Sequence, residues 1–465
     1  MKRGRAEIPG DAQENASRHI PEDLEGGQQN SPGSTTEEKI SLFPLLVVNF
    51  INALGFSIVL PFLVFLVNRF GGNAFVYGLA SSMYPTFQLI GAPILGRWSD
   101  IYGRKKILIL CQIGTLISWI IFLGALYLPL IILFKVDSKI LGAFTFTLPL
   151  AILFFARALD GLTGGDVSIA NAYLADTTSE KDRNRNFGKM SIAINLGFVV
   201  GPAFAGILSI TEYGVVAPVL GAIVISFIGM VLLVLYIRES RQCSVDPTGA
   251  EKQQKYPGNE VKKCVTAEEE TVKPAFREIL KLPNVPYMLG LNFLIDLSYN
   301  IFYTSFPLHA IAVLGWDLVQ LSLFYTILCG FIVIVQGPVL SWASKKYPDS
   351  NLIIFGSLML GTNYLLLISG NFYLTYLATV FFALGDGLMW PSFLSLLSKV
   401  AGRKYQGTVQ GFASSSGSLA SIIGLILGGF LYEVLDGSVF LIAGLVIYTA
   451  FILNFRLRRF EKKVR

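Results

Sequence analysis

Charged residues, histidine and cysteine are all scarce in this sequence. Only 15% of its 465 residues are charged, against 53% that are hydrophobic, and the mean hydropathy is +0.59. Soluble domains carry about 25% charged residues. The composition therefore excludes a soluble multidomain enzyme and, despite a net charge of +6, a nucleic-acid-binding protein. It predicts an integral membrane protein that is surrounded by the lipid bilayer.

The two histidines and four cysteines are too few and too scattered for the common catalytic and metal sites. The cysteines form no Cys-x-x-Cys motif, so we predict neither a disulfide framework nor a metal site. The sequence also lacks the spacing of a catalytic triad and a glycine-rich phosphate-binding loop. We therefore expect no enzyme activity and no cofactor.

Long apolar segments fill most of the remaining chain. A helix of about 20 apolar residues crosses a bilayer, and charged residues, Gly, Asn and Pro separate about twelve such segments. Their approximate bounds are residues 42–67, 74–96, 107–134, 147–173, 187–209, 215–237, 285–311, 319–342, 351–370, 372–398, 406–432 and 436–456. Continuous apolar runs of this length predict membrane-spanning helices.

Basic residues are concentrated in alternate connections between the segments. Outside the polar segments 1–40 and 239–283, one set of connections holds 20 Lys and Arg residues together with the C-terminal residues, whereas the opposite set holds only Arg69, Lys135 and Lys139. Basic residues are retained on the cytoplasmic side of membranes. The pattern therefore predicts an even number of spans with both termini cytoplasmic, in the inner or plasma membrane of a cell.

Two polar segments divide the chain. Residues 1–40 and 239–283 are rich in polar and charged residues and lack an apolar pattern. We predict a disordered cytoplasmic N-terminal tail over 1–40 and a cytoplasmic linker over 239–283. This division leaves two six-helix bundles, residues 41–238 and 284–457, and a basic cytoplasmic tail over 458–465.

Short repeats connect the two halves. The tripeptide Asp-Gly-Leu occurs at 160–162 in the fourth segment and at 386–388 in the tenth, and a Gly-x-x-x-Gly step occurs at 197–201 in the fifth and at 424–428 in the eleventh. Matches at the same ordinal position in each half predict a duplicated architecture. The expected fold is an all-α membrane protein with twelve transmembrane helices in two pseudo-symmetric six-helix bundles.

The connection between the second and third segments carries Gly96, Asp100, Gly103 and Arg104 in the pattern Gly-x-x-x-Asp-x-x-Gly-Arg-Lys. This pattern resembles the loop motif of the major facilitator superfamily. The resemblance implies a transporter in which the motif latches the two halves in the outward-facing state. The alternative interpretation is a positively charged anchor with a turn at Gly103.

Further motifs in the first half resemble those of proton-coupled antiporters. Arg157, Asp160 and Gly161 are similar to their arginine motif. The fifth segment resembles the antiporter motif of the twelve-span drug/proton branch through Gly188, Gly197, Gly201, Pro202 and Gly206, with Ala205 replacing a glycine. Residues 42–237 as a whole are similar to the tetracycline/proton antiporters. The resemblance implies proton-coupled export of drug-like compounds.

Three features depart from that group. Asn52 stands where the tetracycline antiporters carry an acid, so one of their proton carriers is missing. Asp166 is an additional acid, which we expect nearer the cytoplasmic end of the fourth segment. Ser341 and Lys345 replace the first Gly and the Asp of the loop motif in the second half. Tetracycline is therefore not carried over as the substrate.

Arg157, Asp160, Asp296 and Asp386 are charged residues inside apolar segments. The three acids each fall about 12–14 residues from the start of a segment, which is roughly 18–21 Å along a helix and near mid-membrane. A charge there costs at least about 2.5 kcal/mol, so we predict that these four residues face a cavity and couple proton movement to transport. The alternatives are a fixed buried ion pair for Arg157 and Asp160 and an interhelical hydrogen bond for Asp296.

Polar and aromatic side chains at similar depth are candidates for the wall of a substrate cavity. They are Asn52, Gln88, Asn292, Tyr299, Tyr303 and Trp390. Ordinary packing between helices is the alternative role for these residues.

These observations favour a secondary active transporter, in which two halves alternately expose a site for a small amphiphilic or cationic compound and export it in exchange for protons. One alternative is a facilitator or proton symporter for a specific small metabolite. A third hypothesis is a membrane receptor or scaffold whose tail and linker bind partners. We expect the transporter to act as a monomer on a small-molecule substrate and protons.

Overall fold

The structure is a computed structural model that describes residues 42–178, 180–240, 253–255, 261–263 and 281–464. The predicted tail over 1–40 lies outside the described residues, as does most of the predicted linker over 239–283.

The first half consists of helices and one β-hairpin. Its elements are α1 (Phe43–Arg69), α2 (Ala74–Tyr102), α3 (Arg104–Tyr127), β1 (Ile132–Ser138), β2 (Gly142–Thr147), α4 (Leu148–Thr163), α5 (Asp166–Thr177), α6 (Glu180–Ser209) and α7 (Val216–Tyr236). Two short antiparallel strands follow, β3 (Gln253–Lys255) and β4 (Val261–Lys263).

The second half is helical over its described residues. Its elements are α8 (Val285–Ala312), α9 (Leu318–Ile334), a π-helical turn (Val335–Val339), α10 (Leu340–Lys346), α11 (Asp349–Leu367), α12 (Phe372–Leu435), a 3₁₀ turn (Asp436–Ser438), α13 (Val439–Asn454) and α14 (Leu457–Val464). The predicted all-α class is confirmed, with the two hairpins as small additions.

Each of the twelve predicted segments overlaps a helix, but the number of membrane spans is less distinct. By length and hydropathy, nine helical stretches of the described residues can cross a membrane, and one of them, Thr408–Lys462, covers two predicted segments. Helices α2 and α8 are not among the nine, although they contain 29 and 28 residues. Both carry polar residues of the candidate site, which lowers their hydropathy. The total of twelve therefore stays a prediction.

The predicted third segment, 107–134, extends too far. Helix α3 ends at Tyr127, and residues from Ile132 onward form β1, which pairs antiparallel with β2. Leu128 precedes Pro129 and has extended backbone angles, φ −77° and ψ 145°, the conformation that a following proline favours. Hydropathy alone cannot register this stop, because the residues after it are also apolar.

The basic C-terminal residues pack against the second half. Leu457 and Phe460 on α14 are buried, and the Glu461 carboxylate accepts hydrogen bonds from the backbone N–H groups of Asp349 (3.2 Å) and Ser350 (3.0 Å). These N–H groups lie at the start of α11, where an acidic side chain is favourable. The structure thus adds a helix to the region predicted as a tail.

Small residues permit close helix packing at matching places in the two halves. In the first half, Ser57 Oγ on α1 donates to the carbonyl of Gly197 on α6 (3.0 Å). In the second half, Ser305 Oγ on α8 donates to the carbonyl of Gly428 on α12 (3.1 Å). Membrane helices associate through such close contacts and hydrogen bonds, because lipid supplies little hydrophobic driving force.

The halves contact each other at one end of the bundle and also between α6 and the π-helical turn, where Asn195 Nδ2 donates to Gln336 Oε1 (3.3 Å). We name the end that holds Arg104 and α14 the basic end, and the end where α1 gives way to α2 the opposite end. At the opposite end, the N–H of Ala74 donates to Glu433 Oε2 (3.1 Å), and a β-carbon on Gly78 would lie 2.6 Å from the carbonyl oxygen of Leu425. These contacts join α2 to the last part of α12 and close the opposite end.

Candidate functional site

A cavity of about 330 Å³ lies between the two halves. Helices α1, α2, α4 and α6 of the first half and α8 and α12 of the second half supply its wall. The aromatic and polar lining residues include Phe56, Tyr77, Ser81, Tyr84, Gln88, Arg157, Phe198, Tyr299, Asn300, Tyr303, Ser418 and Ser421. A site of this size, mostly apolar with a few polar groups, is typical of small-molecule binding.

Arg157 reaches this cavity from α4. Its side chain is buried, Nη1 lies 3.2 Å from Asp160 Oδ2, and the guanidinium carbon lies 5.1 Å from the centre of the Tyr84 ring. Arg157 and Asp160 are three residues apart on one helix, which places them on neighbouring parts of one face. The Arg157 Nε is buried and forms no hydrogen bond with any described residue. The guanidinium thus has donor capacity beyond its ion pair.

A second, smaller cavity of about 40 Å³ adjoins the central one behind Tyr84. Asn52, Thr115, Asp160 and Asp166 contribute to its wall. Asn52 Nδ2 donates to Asp166 Oδ2 at 2.6 Å. A space of this volume has room for water, which needs roughly 10–15 Å³. The cavity therefore places two carboxylates and an amide around a space that water can occupy.

The Asn52–Asp166 contact connects two departures that appear unrelated in the sequence. Asn52 occupies the position where the resemblance leads us to expect an acid. Asp166, 114 residues further along the chain, is an acid at a position where none is expected. Helix α4 ends at Thr163, and α5 begins at Asp166 after Gly164 and Gly165. This interruption brings the Asp166 carboxylate beside α1. Each departure was visible in the sequence, but their pairing was not.

The two acids of the second half lie in a different environment. Asn292 Nδ2 donates to Asp296 Oδ2 (2.8 Å) and to the carbonyl of Ala413 (3.1 Å). Asp386 lies on α12 and is half-buried. Within the described part of the chain, neither acid forms an ion pair with a basic side chain. Among the described residues, the two acids of the second half thus have no cationic partner.

The predicted cavity residues are divided by the structure. Gln88, Tyr299 and Tyr303 line the central cavity, and Asn52 lines the smaller one. Asn292 and Trp390 lie outside the residues that line the central cavity. The polar face of α8 is therefore split: its later residues face the cavity, while Asn292 packs against α12.

Several lining residues were missed by the sequence analysis. They include Phe56, Phe198, Asn300, Ser418 and Ser421. The aromatic residues resemble ordinary apolar residues of a span, and the serines belong to a small-residue stretch of α12. Asn300 is the exception, since it follows Asp296 by one helical turn and donates to its carbonyl (2.7 Å). That spacing was the available signal.

The loop motif forms a compact charged cluster at the basic end. Arg104 Nη2 lies 2.7 Å from Asp100 Oδ1, and its Nε lies 3.1 Å from Asp176 Oδ2 on α5. Gly103 has a φ of +104°, which favours glycine. Gly96 faces open space. The motif thus joins α2, α3 and α5 within the first half.

Glu239 completes this cluster and was missed as a site residue, because it lies at the start of the predicted linker. Its carboxylate accepts hydrogen bonds from the backbone N–H groups of Arg104 (2.7 Å) and Lys105 (3.2 Å) at the start of α3. A β-carbon on Gly103 would lie 2.5 Å from Glu239 Oε2. The glycine of the motif therefore leaves room for this carboxylate.

The glycines of the antiporter motif differ in their contacts. Gly197 and Gly201 face α1, and Gly206 faces Ser322 on α9 of the other half. Pro202 lies inside α6. Gly188 faces open space near the basic end. The motif therefore packs α6 against both halves over the part of the helix nearer the opposite end.

The family model and the similar proteins that match this chain point to the same family. The family model described as Major Facilitator Superfamily matches residues 45–414 and 337–465. Tetracycline resistance protein, class H, of Pasteurella multocida is 25% identical over 397 residues, covering 84% of this chain and 89% of that protein. Multidrug resistance protein 2 of Bacillus subtilis (strain 168) is 26% identical over 416 residues, covering 89% and 94%.

A solved structure has the same fold. The crystal structure of the human organic anion transporter MFSD10 (TETRAN) superposes with a TM-score of 0.59 at 18% identity, covering 90% of this chain and 99% of that one. Together with the family match, the fold and the loop motif at Gly96–Arg104 lead to one conclusion. This chain belongs to the major facilitator superfamily.

Proposed function

We propose that this chain is a proton-coupled exporter of small amphiphilic compounds that works by alternating access of its two halves. One observation carries the proposal: the Arg157–Asp160 ion pair lies at the wall of a central cavity that both halves line. A buried ion pair at such a place is costly to keep for stability alone. In transporters, ionisable residues at this depth mark substrate and proton pathways.

The ion pair has two arrangements that can couple binding to protonation. In one, the Asp160 carboxylate is charged and neutralises Arg157. In the other, Asp160 holds a proton, and the guanidinium is free to bind a group from the cavity. A substrate that favours one arrangement therefore changes the proton occupancy of Asp160, which is the thermodynamic requirement for coupling. The smaller cavity at Asp160 and Asp166 gives water a place beside the acid.

The second-half acids supply a separate place for protons. Neither Asp296 nor Asp386 pairs with a described basic side chain, so each carboxylate can gain a proton without breaking an ion pair. In the proposed cycle, Asp386 and Asp296 carry the protons that return while the substrate leaves.

We propose that the basic end faces the cytoplasm, with both termini there and the chain in a cell membrane. The contacts of Ala74 with Glu433 and of Gly78 with Leu425 then close the cavity to the outside. A β-carbon placed on Gly96 would meet no described atom within 4 Å, and the contacts described for the Arg104 side chain of the loop motif lie within the first half. This arrangement corresponds to the inward-facing half of the cycle.

The names of the similar proteins support the substrate range. Two of them are named for resistance to tetracycline or to multiple drugs, and the human protein is named for organic anions. Small amphiphilic molecules are the class that these names have in common. The identities of 25%, 26% and 18% are too low to transfer any one of their substrates to this chain.

The test uses the full chain in liposomes with an imposed proton gradient and a trapped pH-sensitive dye. Tetracycline-like compounds, lipophilic ions of both charges and sugars are added to the wild type, to Asp160→Asn and to Asp137→Asn. Asp137 is an exposed acid of the hairpin and serves as the matched control. We expect compound-dependent proton movement that Asp160→Asn loses and Asp137→Asn keeps. Compound flux without proton movement would indicate a facilitator instead.

A further inference from the structure

The central cavity has an unequal distribution of charge. Arg157 is the charged side chain among the described residues of its wall. Asp160 and Asp166 belong to the smaller cavity behind Tyr84, and Asp296 and Asp386 lie outside the lining of the central cavity. A molecule in the central cavity therefore meets a guanidinium directly, whereas none of these four carboxylates belongs to the described lining of that cavity.

The guanidinium has donors that its present partners do not use. Arginine carries five N–H donors, whereas Arg157 donates one hydrogen bond to Asp160 through Nη1. Its Nε is buried and has no acceptor among the described residues, which costs free energy. The planar fork of Nε and Nη matches the two oxygens of a carboxylate or the oxygens of a sulfonate. An acidic group would supply the acceptor that the protein does not provide.

The rest of the wall suits an aromatic or apolar body. Phe56, Leu60, Phe198, Tyr299 and Tyr303 surround the space. The Arg157 guanidinium stacks over the Tyr84 ring, with its central carbon 5.1 Å from the centre of that ring. Asn300, Ser418 and Ser421 offer hydrogen-bonding groups on the wall of the second half. The cavity is thus cationic at Arg157, aromatic along its length and mildly polar across the interface between the halves.

We propose that the substrates are organic acids with an aromatic or apolar body, and that Arg157 binds their acidic group. This inference rests on the proposed function and replaces the expectation of a cationic substrate with an anionic one. An ammonium group in the same cavity would face the guanidinium, and like charges at short range repel. When the acid binds, it takes the place of the Asp160 carboxylate, and Asp160 takes up a proton. That proton leaves with the acid, so Asp296 and Asp386 together return two protons for each acid exported, which leaves a net exchange of one proton for one acid.

The test compares three probes with one aromatic body. They are 2-naphthoate, the neutral 2-naphthylmethanol and the cationic 2-naphthylmethylamine, and their binding to the purified full chain is measured by isothermal titration calorimetry. We expect naphthoate to bind at least about tenfold more tightly than the amine, which corresponds to about 1.4 kcal/mol. Tighter binding of the amine, equal binding of the acid and the amine, or no binding of naphthoate at millimolar concentration would overturn the inference.

Variants at Arg157 locate the effect. Arg157→Gln alone leaves Asp160 without its cation, so the double variant Arg157→Gln/Asp160→Asn removes both charges and preserves folding. We expect the double variant to lose the preference for naphthoate over 2-naphthylmethanol that the wild type shows. Arg157→Lys keeps the charge but loses the fork, and it should retain only part of the preference. An unchanged preference in the double variant would contradict the assignment to Arg157.

The same probes separate this inference from the proposed function. If naphthoate binds through Arg157 but no compound produces proton-linked flux in liposomes, the substrate class holds and the proposed coupling is wrong. If the amine produces proton-linked flux and naphthoate neither binds nor moves, the proposed function holds and the anionic substrate class is wrong.

Discussion

At the basic end of the first half, Arg104 at the start of α3 pairs with Asp176 on α5, whereas at the basic end of the second half Asp349 at the start of α11 pairs with Lys399 on α12. The two pairs join equivalent helices but with reversed charges. Lys399 is half exposed, at 51%, whereas Arg104 is 10% exposed, so solvent screens the second pair more strongly. The two halves therefore have an ion pair at equivalent places, but the charges of the partners are exchanged and the pair of the second half is more strongly screened.

The membrane interior shows a second difference between the halves. The first half neutralises Asp160 with Arg157. In the second half, no described basic side chain pairs with Asp296 or with Asp386. The first half thus keeps a nearly balanced charge beside the cavity, while the second half must accept protons to reduce its charge. This difference supports separate roles in substrate binding and in proton return.

The largest expected effect is that of Arg157→Gln. Removing one partner of a buried ion pair costs about 3–5 kcal/mol, because the Asp160 charge is left without compensation. We expect the variant to lose that much stability and all proton-linked transport. Denaturant unfolding in detergent micelles, followed by tryptophan fluorescence, measures the first effect, and the liposome assay measures the second. Arg157→Gln/Asp160→Asn should recover most of the stability but not the transport. Wild-type stability in the single variant would contradict the buried ion pair.

Asp386→Asn provides the contrasting experiment in the second half. Because no described cation pairs with Asp386, its neutralisation leaves no charge uncompensated. We expect unchanged or slightly higher stability, together with loss of proton-linked transport. Thermal unfolding and the pH-dye assay are measured on the same preparation. A strong loss of stability would mean that Asp386 has a structural partner, and the contrast between the halves would then disappear.

Substitutions in the glycine steps test where the halves are alike. A leucine at Gly201 would collide with Ser57 Oγ, and one at Gly428 would press on the carbonyl oxygen of Ile301, 2.8 Å from the β-carbon. Overpacking of this kind costs about 1–3 kcal/mol, so we expect similar losses in Gly201→Leu and Gly428→Leu. Gly188→Leu enters open space and serves as the control with little change in thermal unfolding. A large effect in only one half would contradict equivalent packing.

The sequence was sufficient for the family, the fold class and the approximate position of the helices, because these follow from hydropathy, repeats and the loop motif. The sequence was insufficient where the chain departs from the succession of apolar helices, or where residues that are distant in sequence contact each other. The stop at Pro129 was hidden by apolar residues on both sides, and the Asn52–Asp166 contact depends on the break between α4 and α5. Hydropathy also cannot give the rotation of α8, which decides that Tyr299 lines the cavity and Asn292 does not.

The smallest expected effect concerns two glutamates that cap equivalent helices in the two halves. Glu239 binds the N–H groups at the start of α3, and Glu461 those at the start of α11. Loss of the negative charge at a helix start costs about 0.3–1 kcal/mol, and up to about 2 kcal/mol where the group is partly buried. We expect Glu239→Gln and Glu461→Gln each to lower stability within this range. Glu461 is only 4% exposed and is therefore expected to have the larger effect, because water cannot replace it easily.

The control for both caps is Glu212→Gln, an exposed glutamate in the loop after α6. All three variants are compared by thermal unfolding in the same detergent. Equal and small shifts at Glu461 and Glu212 would mean that α14 does not hold the start of α11. A lower unfolding temperature in Glu239→Gln alone would mean that a glutamate cap stabilises only the helix that begins within the loop motif. A decrease at both caps would show that the halves share a helix-capping device even though their ion pairs have opposite polarity.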